Sequence, residues 1–175
     1  MKIAVVTHNV IKRDGQGRVN YELVKYLAGH DHEVHLYANK VDQDLTVLGN
    51  IIYHHVPIFM EKPNLIKGII FLLTVTWKLL KSHYDIVHLN GTVSLTPYDV
   101  NTCHLCHSAW AEVSDEINQE KGLIKTYYWL YTRFNVWLER IIYHKRKGLV
   151  IAVSEKVKAE LVNKARIAEK KIKVI

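Results

Sequence analysis

Cysteine and proline are scarce in this 175-residue chain, with two of the first and three of the second. Two cysteines cannot make a disulfide scaffold. With only eight glycines and no repeat or low-complexity stretch, nothing marks a linker that would divide the chain. Also lacking is an apolar run long enough to cross a bilayer. The longest, residues 65–80, holds sixteen residues with Lys67 and Lys78 among them, short for a hydrocarbon core of roughly 30 Å, and it reads as a helix. The opening MKIAVVTHN has one lysine and an apolar run that meets polar residues at Thr7, so it reads as a first strand and not as a signal peptide. The expected setting is therefore reducing and cytoplasmic. What remains is a chain with 49% hydrophobic residues, enough for one packed domain spanning residues 1–175.

Lysine and arginine number 24 against 17 aspartates and glutamates, a net charge of +7. Such a balance favours anionic partners: nucleic acid, acidic lipid or phosphorylated ligands. The lysines are too dispersed to form a nucleic-acid recognition motif, so nucleic acid is not an expected partner.

Strand and helix patterns alternate. Residues 3–6 form a β-branched run typical of a strand buried on both faces, and Val19, Leu23, Tyr26 and Leu27 then recur at helical spacing. Further strands are predicted at 32–38, 50–56, 84–90, 99–105 and 148–154, and helices at 65–81, 123–145 and 155–164. This alternation predicts an α/β, Rossmann-like domain: a parallel sheet with helices on both faces. In such a sheet the ligand lies outside the carboxyl ends of the strands. His8 follows strand one, His88 lies near the end of strand four, and His104 and His107 lie at or past the end of strand five. If the strand order is the common doubly wound one, these imidazoles line one crevice.

Gly15 and Gly17 fall where strand one turns into the first helix. Glycine admits a close backbone approach, a helix start presents N–H groups to phosphate, and Arg18 adds a full charge. The dinucleotide fingerprint would place a third glycine where Asn20 stands, and the phosphate-loop lysine is missing, so neither of those motifs is present. A plain tight turn fits the same residues. The segment CHLCH, residues 103–107, has the spacing of c-type haem attachment and offers half of a tetrahedral zinc set. Neither is expected, because the segment falls in a strand end and no second CxxC occurs. The expectation is two packed thiols, a neighbouring imidazole facing the crevice, and no bound metal.

Between residues 127 and 143 lie Tyr127, Tyr128, Trp129, Tyr131, Phe134, Trp137 and Tyr143. A stripe of Leu123, Tyr127, Leu130, Phe134, Trp137 and Ile141 has helical period and is expected to pack on the sheet. Trp129, Arg133, Val136 and Arg140 fall on another side. Two readings fit that side, a solvated charged face or contact with an anionic membrane surface, and the same two fit Lys67, Lys78 and Lys81 on the 65–81 helix.

GQGRVNYELVKYLAGHDHEVHLYA, YDIVHLNG, TCHLCHSAW and LVIAVSEKVKAEL, in this order and spacing, resemble the amino-terminal half of family 4 glycosyltransferases, which have the two-lobed GT-B fold. The resemblance implies that Gly15, Gly17 and Arg18 approach the diphosphate of a nucleotide-sugar donor, although Asp14 departs from the usual glycine pair. It implies that His107 or His104 lies near the transferred sugar, His107 being preferred because HSAW follows it as a loop would. His88, Asn90 and Gly91 become crevice lining. The implied chemistry is sugar transfer, hexosyl transfer being expected, with retention at the anomeric carbon, through an oxocarbenium-like species and a departing diphosphate. No divalent metal and no other cofactor is implied. The acceptor, a saccharide or a lipid-linked one, would lie against this lobe, and the enzyme would be cytoplasmic or peripheral on the inner face of the membrane. The nucleotide pocket would belong to a second, carboxyl-terminal lobe beginning after KIKVI, so this chain alone is expected to be inactive. The competing reading is a non-catalytic Rossmann-like module that holds a nucleotide or anionic lipid.

Overall fold

Ile3, Ala4, Val5 and Val6 are all buried, which is what closes strand β1 (Lys2–Val6) on both faces. The computed structural model describes residues 1–58, 63–117, 121–145 and 148–175. Two compact units emerge, Met1–Val100 and Asn101–Ile175.

In the first unit β1 lies between β3 (Glu33–Ala38) and β6 (Ile86–Asn90), and β5 (Ile51–His55) adds to β3. Every pairing is parallel, with Ile3 opposite both Val34 and Ile86 and Leu36 opposite Tyr53. A separate ribbon pairs β2 (Asn9–Val10) with β4 (Lys40–Val41), also in parallel. Helix α1 (Gly15–Gly29) packs Tyr21, Val24 and Ala28 into a core shared with Ile3, Val5, Val34, Leu36 and Ile51, and Leu45 joins it from the short helix α2 (Gln43–Thr46). Each fully buried Val, Leu or Ile here contributes about 1.5–3 kcal/mol. Helix α3 (Asn64–Leu80) buries Phe71, Leu72, Val75 and Leu79.

The second unit is built on β7 (Val100–Cys103), α4 (His107–Ile117), α5 (Leu123–Lys145), β8 (Leu149–Ala152), α6 (Glu155–Asn163) and β9 (Ile172–Val174). β8 and β9 pair in parallel, Val150 opposite Ile172. Ser154 caps α6 by accepting a hydrogen bond from the Val157 amide at 3.2 Å. Parallel strands alternating with helices, in the order β5-β3-β1-β6 in the first unit and with β8 beside β9 in the second, are the expected Rossmann-like α/β architecture.

Three local expectations fail. On α1, Leu27 packs against the core and Leu23 is half-buried, but Val19 and Tyr26 are exposed, and the inward face runs through Gly17, Asn20, Tyr21, Val24 and Ala28. Small and polar residues occupy its first turns, so hydropathy found only part of that face. The fifth predicted strand, 99–105, stops at Cys103, and HSAW is not a loop but the first turn of α4. On α5 the predicted stripe does not face inward, since Leu123, Leu130 and Trp137 are exposed while Val136, Leu138, Glu139, Ile142 and Tyr143 are buried. Only the C-terminal half of that helix is packed, and the position of one charged residue, Glu139, in the buried set broke the periodic signal. Val136 consequently leaves the face expected for Trp129, Arg133 and Arg140, which are exposed.

Candidate functional site

β1 delivers Thr7, His8 and Asn9 to its carboxyl end, and α1 begins six residues later behind Asp14. Thr7, His8, Asn9, Asp14, Gln16, Gly17, Asn20 and Asn90 line a small cleft of about 30 Å³ there, room for roughly one water. The two glycines of the bend differ. A Cβ on Gly17 would stand 3.0 Å from the Ile11 carbonyl oxygen and 3.1 Å from both Cβ and Oδ2 of Asp14, so a side chain there would force the bend to shift by a few tenths of an ångström. A Cβ on Gly15 would meet nothing within 4 Å. Neither has positive φ; the glycine at the strand tips that does is Gly91, at +81°, directly after β6.

Beneath Gly17 runs a buried polar network. Asn20 Nδ2 donates to Thr7 Oγ1 at 2.7 Å and to the Asn9 carbonyl at 3.2 Å. Asn90 Nδ2 donates to Asn20 Oδ1, and Gln16 Nε2 donates to Asn90 Oδ1 at 2.9 Å. The chain of bonds ties the ends of β1 and β6 to the first two turns of α1, and each buried amide it satisfies would otherwise destabilise the fold. Asn20, Thr7, Asn9 and Gln16 were not among the residues singled out from sequence. Asn20 carried the available signal, as a polar residue on a helix face that must turn inward.

The cleft sets one carboxylate, that of Asp14, beside the first turn of α1. Its lining contains no lysine or arginine side chain. Arg18 is exposed and pairs with Glu22 at 2.8 Å on the solvent side of α1. Asp14, in extended conformation at the N-cap, makes no side-chain cap bond to the first-turn amides, and its Oδ2 accepts instead from Asn9 Nδ2 at 3.3 Å. The positive end of α1 lies beside the Asp14 carboxylate at this cleft, and the Asp14 side chain does not tie up its first amides. His8 keeps an exposed edge but packs on Phe71, with ring centroids 4.2 Å apart. Crowding around its ring and, secondarily, the Lys67 ammonium lower its pKa. His88 lies two residues short of the tip of β6, opposite Val5, and burial pushes its pKa down to about 4. Beside this cleft, Ile11, Lys12, Arg13, Asp42, Gln43 and Asp44 frame a wide, open trough. Asp44 Oδ2 accepts from Lys12 Nζ at 2.8 Å and from the Tyr21 hydroxyl at 2.5 Å within it.

In the second unit, Cys103 and Cys106 are free and buried. Burial pushes both thiols up to about 12, so they stand as neutral thiols at ordinary pH. Among the described residues no group of three or more His, Cys, Asp or Glu is arranged to hold a metal ion. His104 follows β7, partly buried, with its pKa lowered by that burial. His107 is the first residue of α4 and also partly buried; burial lowers its pKa and the Glu139 carboxylate opposes the shift. Glu139 accepts hydrogen bonds from the His107 amide at 2.6 Å, the Ser108 amide at 3.0 Å and the Ser108 hydroxyl at 2.5 Å. Sequence reading passed over Glu139 because, in LERIIYHK, it reads as a surface charge. Among the described residues no helix is long and apolar enough to cross a membrane.

A family model described as Glycosyltransferase Family 4 matches residues 13–175. Among solved structures, WaaG, a glycosyltransferase involved in lipopolysaccharide biosynthesis, superposes with a TM-score of 0.76 at 18% identity, covering 99% of this chain and 44% of that one. Sucrose-phosphate synthase from Thermosynechococcus elongatus gives 0.68 at 15% identity, over 100% of this chain and 47% of that one. Anabaena HepE, solved in complex with UDP and glucose, gives 0.56 at 16% identity, over 100% and 44%. This chain thus spans less than half the length of each, and at these identities the likeness is one of fold. A comparison with curated protein sequences finds none that matches.

Proposed function

The chain belongs to glycosyltransferase family 4, and from that membership we propose that it is the acceptor-side lobe of an enzyme that moves a sugar from a nucleotide-diphosphate donor to a saccharide or lipid-linked acceptor. The transfer is of a hexosyl group with retention of configuration. The observation that carries this reading is Gly17: the first turn of α1 has no side chain at that crowded position, which lines a polar cleft at the end of β1. A departing diphosphate gathers negative charge as the sugar acquires oxocarbenium character, and fixed N–H dipoles stabilise that charge without reorganising. In this account the amides of residues 15–17 border the donor phosphates, and Arg18 serves them only by leaving Glu22. His107, or His104 in its place, faces the transferred sugar, while His8, His88, Asn90 and Gly91 shape the crevice. Turnover requires a second lobe holding the nucleotide. The experiment is a screen of the full-length protein against a panel of nucleotide sugars, read as released nucleotide. Release from one donor, dependent on an acceptor, supports the reading, and release from none sinks it.

Contact with the cytoplasmic face of an anionic membrane is the partner reading that α3 favours. Ile66, Leu73, Trp77 and Leu80 are exposed along one stripe of that helix, and the helix has no acidic residue. The Lys81 ammonium lies 3.7 Å from the centroid of the Trp77 ring. Apolar side chains edged by lysines suit a headgroup layer. Flotation with anionic but not with neutral vesicles, lost in Trp77→Glu, is the expected outcome; a protein that stays at the bottom with both contradicts it.

A further inference from the structure

Glu139 has no exposed surface, although it is a carboxylate in a helix of the second unit. A buried carboxylate is tolerated only where donors surround it. Here the donors come from one place: the His107 amide reaches Oε2, the Ser108 amide and hydroxyl reach Oε1, and the Cys106 thiol approaches Oε1 at 3.9 Å. These are the first amides of α4, where the helix dipole also favours a negative charge. A local Ser, Thr or Asp would have been enough to cap α4. A glutamate 32 residues away in sequence does something a local cap cannot, because it fixes the first residue of α4 against a different helix. That first residue is His107.

We infer that Glu139 is a positioning residue: its carboxylate, gripping the amides of His107 and Ser108, sets where the His107 imidazole stands. The catalytic consequence rests on the reading of His107 as the group facing the sugar; the grip itself does not. Of the two candidate histidines, His107 is the one whose backbone the carboxylate is seen to hold. In Glu139→Gln one oxygen remains for Ser108, but the new NH₂ group confronts the His107 N–H donor to donor, and the negative charge is gone. The His107 amide should therefore move, and its ring should become harder to protonate.

The test combines two readouts on the full-length protein. The first is an NMR titration of the His107 ring together with its amide resonance. In E139Q the amide should shift, which reports the lost grip, and the ring midpoint should fall by about one pH unit, which reports the lost charge. The second is kinetic: E139Q should lower kcat by up to about 10²-fold with little change in acceptor KM, and the double variant E139Q/H107A should be no slower than H107A. An unmoved His107 midpoint and amide overturn the inference, as do additive kinetic losses in the double variant. Should E139Q fail to fold, Glu139→Asp, which keeps the charge and shortens the reach, should move the amide while the ring midpoint changes less, and an unmoved amide again overturns it. H107A with undiminished turnover would refute the assignment of His107 to the sugar, and the titration alone would then decide the grip.

Discussion

Gly15 and Gly17 lie one residue apart in the same helical turn, yet substitution by alanine should act on them in opposite directions. At Gly15 the new methyl group enters open space, and φ is not positive. Alanine is better than glycine in a helix by up to about 1 kcal/mol, so Gly15→Ala should be neutral or stabilising. At Gly17 the same gain is opposed by contacts of 3.0 Å to a backbone carbonyl and 3.1 Å to Asp14. A carbonyl cannot swing aside as a side-chain tip can, so the bend between Ile11 and Asp14 must shift by a few tenths of an ångström. Overpacking of this kind costs about 1–3 kcal/mol, which leaves Gly17→Ala destabilised by roughly 0–2 kcal/mol. The two variants should then differ by about 2 kcal/mol, or roughly 6 °C in Tm for a chain of this size. Paired thermal melts measure the difference, and nucleotide release by the full-length protein shows whether the displaced bend also loses activity. Equal melting temperatures, or a Gly17→Ala variant that melts above the parent and turns over normally, would refute the reasoning.

Three more outcomes are expected. His88 is held neutral by burial, with its pKa moved from an ordinary value near 6.5 to about 4; the unfolded chain therefore binds the extra proton between those values, and stability should fall as pH drops from 6.5 to 4 by up to about 3 kcal/mol. Urea unfolding at stepped pH measures this, and a slope unchanged in His88→Gln would contradict it. Asn20→Leu strips partners from Thr7, the Asn9 carbonyl and Asn90, and at about 1–3 kcal/mol for a buried group left unsatisfied it should lower the urea midpoint well beyond the effect of Gln16→Ala at the exposed end of the network. Cys103 and Cys106, buried with thiols pushed up to about 12, should resist a thiol-reactive dye at pH 7.5 until the protein unfolds; prompt labelling of the native chain would show that their burial is misjudged.

Strand positions were readable because a parallel strand buried on both faces, such as residues 3–6, is a continuous apolar run whatever the helices do, and residues 34–38 break that run only at His35. Helix faces were not, because hydropathy assumes that the inward side is apolar. On α1 that side carries Gly17 and Asn20, and on α5 it carries Glu139. Asn20 and Glu139 sit there for polar reasons supplied by residues distant in sequence, Asn90 being 70 residues from Asn20 and His107 32 from Glu139, while Gly17 answers to the nearby bend of Ile11 and Asp14. The same limitation explains the start of α4. No Ser, Thr, Asp or Asn stands just before it, so TCHLCHSAW reads as a strand running into a loop, whereas a carboxylate from another helix takes its first amides. Gly17 could be found from its place in the bend, but its difference from Gly15 exists only once the Ile11 carbonyl is in position.

The most direct test of the central claim is an NMR titration of the full-length protein with nucleoside diphosphates, following the backbone amides at the start of α1. The account predicts that the amides of Gln16 and Gly17 shift with the nucleotide that supports turnover, and that Gly17→Val abolishes the shift. Nucleotide binding that leaves both amides unmoved while perturbing other regions would contradict it.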